Sequence, residues 1–180
     1  MNRMRDLRWI VLSFILGMII GITLTLVITE EGFRSVQVDN KTCGITPLIF
    51  PGDKHKIITA ISSAKESIYV EMYGLTDSDI ITELIRAKDR GVDVKVILED
   101  DVDYNDDAFM TLAGAGVPVK WDGDRYRLTH TKLMIIDNQT IIIGSPNFTF
   151  SGMTKNREAG LITDCIVQPY LAMFVQDWNS

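Results

Sequence analysis

The chain contains few of the side chains that bind transition metals or build disulfide frameworks. Its 180 residues include two cysteines, Cys43 and Cys165, and two histidines, His55 and His130. No C-x-x-C pair and no cysteine–histidine cluster is present, which argues against a zinc site. The sequence leaves two states open for the cysteines: one disulfide joining the start of the domain to its end, or two unpaired thiols.

Internal repeats and low-complexity segments are also absent, so one globular domain is the simplest organisation. The net charge of −6 argues against a protein that coats nucleic acid non-specifically. Acidic side chains crowd residues 99–107, whereas six basic side chains lie nearer His130: Lys120, Arg125, Arg127, Lys132, Lys155 and Arg157. We hypothesise that these six form a locally basic groove on an acidic body.

Charged residues are missing from Trp9 to Thr29. As a helix this run would be roughly 31 Å long, enough to cross the apolar part of a bilayer. Three arginines precede it and two glutamates follow, so the positive-inside rule keeps residues 1–8 in the cytoplasm and places the following domain outside. A cleaved signal peptide is the alternative, but the run is longer than such a core and ends without a small-x-small site. We predict an uncleaved, single-pass signal anchor at 9–29.

The remaining sequence predicts a short linker at 30–45 and a domain at 46–180. Alternating or continuous apolar runs predict strands at 48–50, 67–73, 92–98, 117–121, 131–136, 140–143 and 158–163. Helical spacing predicts helices at 54–65, 107–113 and 170–178, and another after Asp77 as its N-cap. The order predicts an α/β fold with a mixed, largely parallel sheet flanked by helices.

One motif indicates chemistry. His130-Thr131-Lys132 is followed by four apolar residues and then Asp137, which reads H-x-K-x-x-x-x-D. Residues two apart on a strand point the same way, so His130 and Lys132 are expected to face one phosphate. Asp137 is an odd number of residues from both, and we interpret it as a structural residue that holds the turn or accepts hydrogen bonds from backbone amides.

A second group of polar residues follows the next predicted strand. Gly144 precedes Ser145 and Asn147, whose short side chains are suited to hold phosphate oxygens across a turn at Pro146. Glu158 is a candidate to accept a hydrogen bond from a histidine and fix its tautomer. The complete set, bracketing two apolar strands, predicts a phosphodiester site.

With these motifs the chain resembles the phospholipase D superfamily, and within it the small single-motif nucleases that act as homodimers. The resemblance covers Thr46 to Asn179. Besides the H-x-K-x-x-x-x-D motif it rests on the runs Glu71–Thr76, Arg90–Lys95, Gly144–Thr149, Lys155–Glu158 and Phe174–Trp178. Pro146 occupies a position that varies in the superfamily.

The resemblance implies a two-step displacement without metal or other cofactor. His130 of one subunit attacks phosphorus and forms a phosphohistidine, while the same histidine of the other subunit protonates the leaving oxygen and then activates water. Lys132 and Asn147 neutralise the developing charge with help from Ser145, Glu158 orients a histidine, and Gly144 and Asp137 are structural. His55 lies in no second motif, so a homodimer is expected. The spacing of Gly17 and Gly21 would let two membrane helices approach closely.

Three functions are compatible with this site. A membrane-anchored endonuclease is favoured by chain length and motif order, although the acidic segment speaks against it. A phospholipase D-type hydrolase of lipids such as cardiolipin is the alternative, because the anchor would hold the domain beside lipid headgroups. An inactive dimeric interaction module is the third. The compartment also stays open, because some anchored relatives face the cytosol.

Overall fold

The computed structural model describes residues 43–123 and 125–180, and this part of the chain folds into one seven-stranded sheet with helices on both faces. The strands are β1 (Ile45–Phe50), β2 (Ser67–Met72), β3 (Asp93–Leu98), β4 (Val119–Trp121), β5 (Lys132–Ile136), β6 (Thr140–Gly144) and β7 (Glu158–Thr163). The helices are α1 (Lys54–Ser63), α2 (Ser78–Asp89), α3 (Asp106–Gly114), α4 (Phe150–Thr154) and α5 (Val167–Trp178), with a 3-10 turn at Asp103–Asn105.

The predicted membrane anchor at 9–29 and most of the predicted linker lie outside the described residues. Among the helices from residue 43 onward that the structure describes, none combines the length and apolarity needed to cross a bilayer. The domain itself begins with β1 at Ile45, one residue before the predicted boundary.

The predicted strands and helices are present, with small shifts at their ends. Asp77 caps α2, and its carboxylate accepts hydrogen bonds from the backbone N–H groups of Asp79 and Ile80. Helix α5 begins at Val167, three residues before the predicted start, because Pro169 is tolerated in a first turn where its missing N–H has no partner. Helix α4 was not predicted, since its five residues are too few to show a helical period.

The prediction of a largely parallel sheet is wrong. The strand order is β1-β7-β6-β5-β2-β3-β4, and the only parallel pairs within it are β2–β3 and β3–β4. The other four neighbouring pairs are antiparallel. A parallel return needs a crossover of a dozen or more residues, usually with a packed helix. Helices α2 and α3 provide such crossovers, whereas the three-residue turn from β5 to β6 does not.

Two apolar layers cover the sheet. The larger one places Ile57 and Ile61 of α1 and Leu84 of α2 against strand residues such as Val70 and Val96, all of them fully buried. The smaller one lies on the opposite face, where Phe174 of α5 packs near Ile97, Leu133, Ile135 and Ile141. Strands β2, β3 and β5 are therefore covered on both sides, which makes their ends rigid supports for a site.

A disulfide between Cys43 and Cys165 resolves the alternative that the sequence left open. It joins the segment before β1 to the segment after β7, across a sequence separation of 122 residues. The backbone N–H of Gly44 donates to the Asp164 carboxylate nearby, at 2.6 Å. The two ends of the domain are thus tied together at the edge formed by β1 and β7.

Candidate active site

The predicted catalytic and phosphate-binding residues lie along one edge of the sheet. Strands β2 and β6 end at this edge, whereas β5 and β7 begin there. Lys132 opens β5 and His130 lies two residues before it, Asn147 lies in the loop after β6, and Glu158 opens β7. The topology therefore brings together side chains that are separated by up to 28 positions in the sequence.

Tyr73 holds His130 and Lys132 together. The centroids of the Tyr73 and His130 rings are 4.5 Å apart, and the Lys132 ammonium lies 4.9 Å from the Tyr73 centroid. Lys132 Nζ also donates to the backbone carbonyl of His130 at 3.0 Å. Because β5 starts at Lys132, strand alternation does not set the direction of His130; contact with Tyr73 does.

Lys132 is partly withdrawn from solvent. Burial lowers its pKa, and the nearby Glu158 carboxylate opposes this by favouring the ammonium form. A weakly hydrated ammonium beside an exposed imidazole is suited to bind a phosphate oxygen.

Asn147 is carried by a loop that docks onto the end of β2. The carbonyl of Phe148 accepts hydrogen bonds from the N–H groups of Thr76 and Asp77, each at 2.9 Å, and Phe148 is buried. The Oδ1 atom of Asn147 is buried and has no hydrogen-bond partner within the described residues. A buried amide oxygen without a hydrogen-bond donor lowers the stability of the fold unless another molecule donates to it. The Asn147 loop therefore offers a hydrogen-bond acceptor at the site.

Ser145 and Glu158 are joined directly. The Ser145 hydroxyl donates to the Glu158 carboxylate and accepts from the N–H of Ala159 at 3.1 Å. Asn156 donates to the other Glu158 oxygen at 3.3 Å. The Ser145 hydroxyl therefore already donates its proton to Glu158. It can donate to a phosphate only after the hydrogen bond to Glu158 is broken.

Asp137 lies at the opposite end of β5, roughly 16 Å along the strand from Lys132. Its carboxylate accepts from the backbone N–H groups of Lys65, Glu66 and Ser67, at 2.7–3.1 Å. Burial alone would raise the pKa of this carboxyl, but the three N–H donors outweigh it and hold the pKa below its usual value. Asp137 thus fixes the β5–β6 turn to the start of β2 and is remote from His130.

Gly144 permits close approach of β6 and β7. It pairs with Gly160, and a Cβ added at Gly144 would lie 2.5 Å from the Gly160 Cα and 2.6 Å from the Ala159 carbonyl oxygen. No side chain fits there. This contact sets the position of Ser145 relative to Glu158.

Other residues that support the site were not predicted as site residues. Asn105 is fully buried; its amide donates to the carbonyls of Tyr73 and Glu99 and accepts from the N–H of Leu75. Tyr104, half exposed, lies over Gly74, where an added Cβ would be 2.9 Å from its hydroxyl. Burial, and to a smaller extent Tyr73, raises the pKa of Tyr104. Nothing in the sequence spacing connects these residues to His130, because their proximity arises from the sheet order.

Two buried carboxylates flank the His130 segment. Glu99 accepts from the N–H of Thr129 at 2.5 Å, and its pKa is raised by burial and by the neighbouring Asp122 carboxylate. Burial likewise raises the pKa of Glu71 to about 7, although a hydrogen bond from Thr131 opposes the rise. Glu71 inside the otherwise apolar strand β2 was the available sequence signal, since an acid is rarely buried unless another group pairs with it.

The structure also bears on metal ligands and on the basic side chains. In the described part of the chain, two groups have ligand atoms close enough for one ion: Cys43, Asp164 and Cys165, whose cysteines form the disulfide, and Glu99, Asp100 and Asp122.

Of the basic residues predicted to form a groove, Lys120 donates to carbonyls at the end of α5 and Arg125 pairs with Asp177. The basic groove stays a prediction, with these two cations engaged by α5.

Comparison with known proteins shows which family this chain matches. Residues 57–178 match the family described as "Cardiolipin synthase, PLD-like domain". The chain is 30% identical to a protein of Rickettsia prowazekii named phospholipase D, over 94% of this chain and 89% of that protein. It is also 30% identical to the human mitochondrial cardiolipin hydrolase, covering 69% of this chain and 50% of that protein.

A solved structure supports the same family. The crystal structure of Nuc from Salmonella typhimurium, described as a phospholipase D family member, superposes with a TM-score of 0.71 at 30% identity and covers 76% of this chain and 95% of Nuc. The chain spans about 60% of the phospholipases D of other Rickettsia species that it matches. Its one H-x-K-x-x-x-x-D motif lies inside the matched region. The chain belongs to the phospholipase D superfamily of phosphodiester hydrolases, and it carries a single PLD-like domain.

Proposed function

We propose that this protein is a metal-independent phosphodiesterase whose site is completed by a second copy of the chain, and that it acts as a membrane-anchored endonuclease. The observation that carries the proposal is the grouping of an exposed histidine with Lys132 against Tyr73. One chain supplies one such histidine. In-line displacement needs a nucleophile and an acid on opposite sides of phosphorus.

In the proposed reaction, His130 of one subunit attacks phosphorus and the bond to the leaving oxygen breaks. That oxygen takes a proton from His130 of the partner subunit, which then removes a proton from the water that hydrolyses the phosphohistidine. Lys132 and Asn147 hold the phosphoryl oxygens, while Glu158, fixed by Ser145, orients a histidine. No metal enters these steps.

Nucleic acid is the proposed substrate because the length of the chain and the order of its motifs match those of the small single-motif nucleases. Superposition on nearly the whole of Nuc supports a compact, stand-alone unit of this kind.

A phospholipid hydrolase is the second candidate. It is favoured by the names of the relatives, phospholipase D and mitochondrial cardiolipin hydrolase, and by the proposed anchor at residues 9–29, which would keep the domain next to headgroups. For either function, we propose that the anchor places the domain on the extracytoplasmic side of the membrane.

The test compares single-stranded DNA, duplex DNA, RNA and cardiolipin liposomes as substrates of the full-length chain in detergent with excess EDTA. We expect cleavage of nucleic acid, and of bis(p-nitrophenyl) phosphate as a generic diester, with H130N inactive. Cleavage of liposomes alone would favour the lipid function, and loss of all activity in EDTA would exclude the metal-free mechanism. Mixing wild-type chains with H130N tests the shared site: activity then falls as the square of the wild-type fraction, against a linear fall for independent subunits.

A further inference from the structure

Carboxylates gather at the ends of the three parallel strands. Glu71 lies beside Ile97 in the register of β2 and β3, and Glu99 is two residues beyond Ile97, so both acids point to the face covered by α5. Asp122 follows β4 directly, and its N–H donates to the carbonyl of Leu98, the last residue of β3. The carboxyl ends of adjacent parallel strands are where α/β sheets bind ligands.

Three acids of this edge are close enough to share one ion. Glu99, Asp100 and Asp122 each offer a carboxylate oxygen, and these oxygens lie within 4.8 Å of one another. One Asp122 oxygen accepts from the N–H of Asp100 at 3.0 Å, and one Glu99 oxygen accepts from Thr129. Glu99 is also in hydrogen-bond contact with the Asp122 carboxylate and the Asp101 N–H, and the remaining oxygens of the three acids are left for a further partner.

A fourth acid indicates independently that this edge can bind a ligand. Glu71 is 2% exposed, and its Oε2 has no hydrogen-bond partner in the described residues. It lines a cavity of about 10 Å³ whose walls also include Asp122, Thr129, Asp177 and Arg125. That volume holds about one water or one ion. A buried carboxylate oxygen without a partner is unfavourable unless such a guest satisfies it.

The basic side chains near this edge, among them Arg125 on the cavity wall, have other partners. Within residues 43–123 and 125–180, no lysine or arginine forms an ion pair with Glu71, Glu99, Asp100 or Asp122. Arg125 is 3.7 Å from Asp177, and the Lys120 ammonium is held by backbone carbonyls at the end of α5.

We propose that Glu99, Asp100 and Asp122, with Glu71 in the cavity that adjoins Asp122, bind a hard divalent cation, and that this cation steadies the segment bearing His130. Carboxylate oxygens without histidine or thiolate ligands favour Ca²⁺ or Mg²⁺, and Ca²⁺ tolerates the irregular geometry better. Glu99 connects the cation to the catalytic segment, because it holds Thr129, the residue before His130. The ion takes no part in the displacement; its effect on rate rests on the proposed function, whereas its binding does not.

The experiment measures thermal unfolding of the full-length chain in detergent, stripped with EDTA and then titrated with CaCl2 or MgCl2. We expect the midpoint to rise by roughly 5 °C at a cation concentration ~100 times the Kd. D100N is the primary variant, because Asp100 is exposed and its loss leaves the fold intact; D122N is the second. Both are expected to lose the response. D103N removes the same charge from an exposed position of the same segment and should respond like wild type.

Two results would overturn the site: no midpoint shift of the wild type with either cation, or equal shifts in D100N, D122N and D103N. H130N separates this inference from the proposed function, since it should keep the full cation response while losing phosphodiesterase activity. Saturating Ca²⁺ is expected to raise the wild-type rate above that in EDTA, and to leave the D100N rate unchanged. A wild-type rate that does not respond to bound cation would overturn the link to His130.

Discussion

The imidazole of His130 packs against the phenol ring of Tyr73, with centroids 4.5 Å apart and planes inclined by 60°. The same ring lies 4.9 Å from the Lys132 ammonium. Tyr73 follows β2, whereas Lys132 is the first residue of β5 and His130 lies two residues before it. The N–H of Tyr73 donates to the carbonyl of Thr131 at 2.8 Å. One aromatic side chain thus sets the spacing between the proposed nucleophile and the proposed phosphate-binding cation.

Replacing Tyr73 by alanine is expected to lower kcat/KM by roughly tenfold, because the ring contacts are worth about 1 kcal/mol and both His130 and Lys132 lose their support. Y73F keeps the ring and should retain most of the activity. Steady-state kinetics on bis(p-nitrophenyl) phosphate measures both. Equal losses in Y73F and Y73A would show that the hydroxyl, rather than the ring, is required.

Gly144→Ala is expected to destabilise the domain by about 1–3 kcal/mol, because the new methyl group meets the backbone of β7 at Gly160 and Ala159. Gly114→Ala is the matched control: nothing lies within 4 Å of its Cβ position and Gly114 ends helix α3, so its unfolding free energy should stay the same or rise by at most about 1 kcal/mol. Urea unfolding gives both values. A G144A domain as stable as G114A would contradict the close contact between β6 and β7.

Asp137→Asn is expected to lower the free energy of unfolding by about 1–2 kcal/mol at neutral pH, since hydrogen bonds to a charged acceptor are stronger than those to an amide. The pKa of Asp137 is lowered in the folded state, so its contribution is fully present above the unfolded value of 3.8 and is lost as pH falls through the folded value. The stability difference between wild type and D137N should therefore shrink in acid. A difference that stays constant from neutral pH to pH ~2 would be incompatible with this account.

Reducing the Cys43–Cys165 disulfide is expected to lower the free energy of unfolding by at most about 5 kcal/mol, the loop-entropy value for a closed loop of 122 residues. Unfolding curves with and without dithiothreitol measure the loss. The double variant C43S/C165S should match the reduced wild type and be unaffected by dithiothreitol. A wild type insensitive to the reductant would argue that the disulfide does not constrain the unfolded chain.

Much of the site was predictable from the sequence, because its residues come in one short motif on apolar strands. His130, Lys132, Asn147 and Glu158 do lie along one sheet edge, where the chain order of strands places them. Tyr73, Tyr104 and Asn105 were missed, since their contacts join segments 30 or more residues apart in the sequence. The prediction of mainly parallel strands was also wrong, because apolar runs indicate buried strands but not the direction in which each strand runs.

By itself, the sequence determined the elements, the family and the chemical groups available, because periodicity, capping and motif spacing are local properties. Asp77 as a cap and the β5–β6 turn at Asp137 follow from such local rules. Only the tertiary structure decided how His130 is held. Its ring packs against Tyr73, which follows β2, and the preceding residue Thr129 is bonded to Glu99, which follows β3. These contacts exist because the sheet order places β5 beside β2 and β2 beside β3.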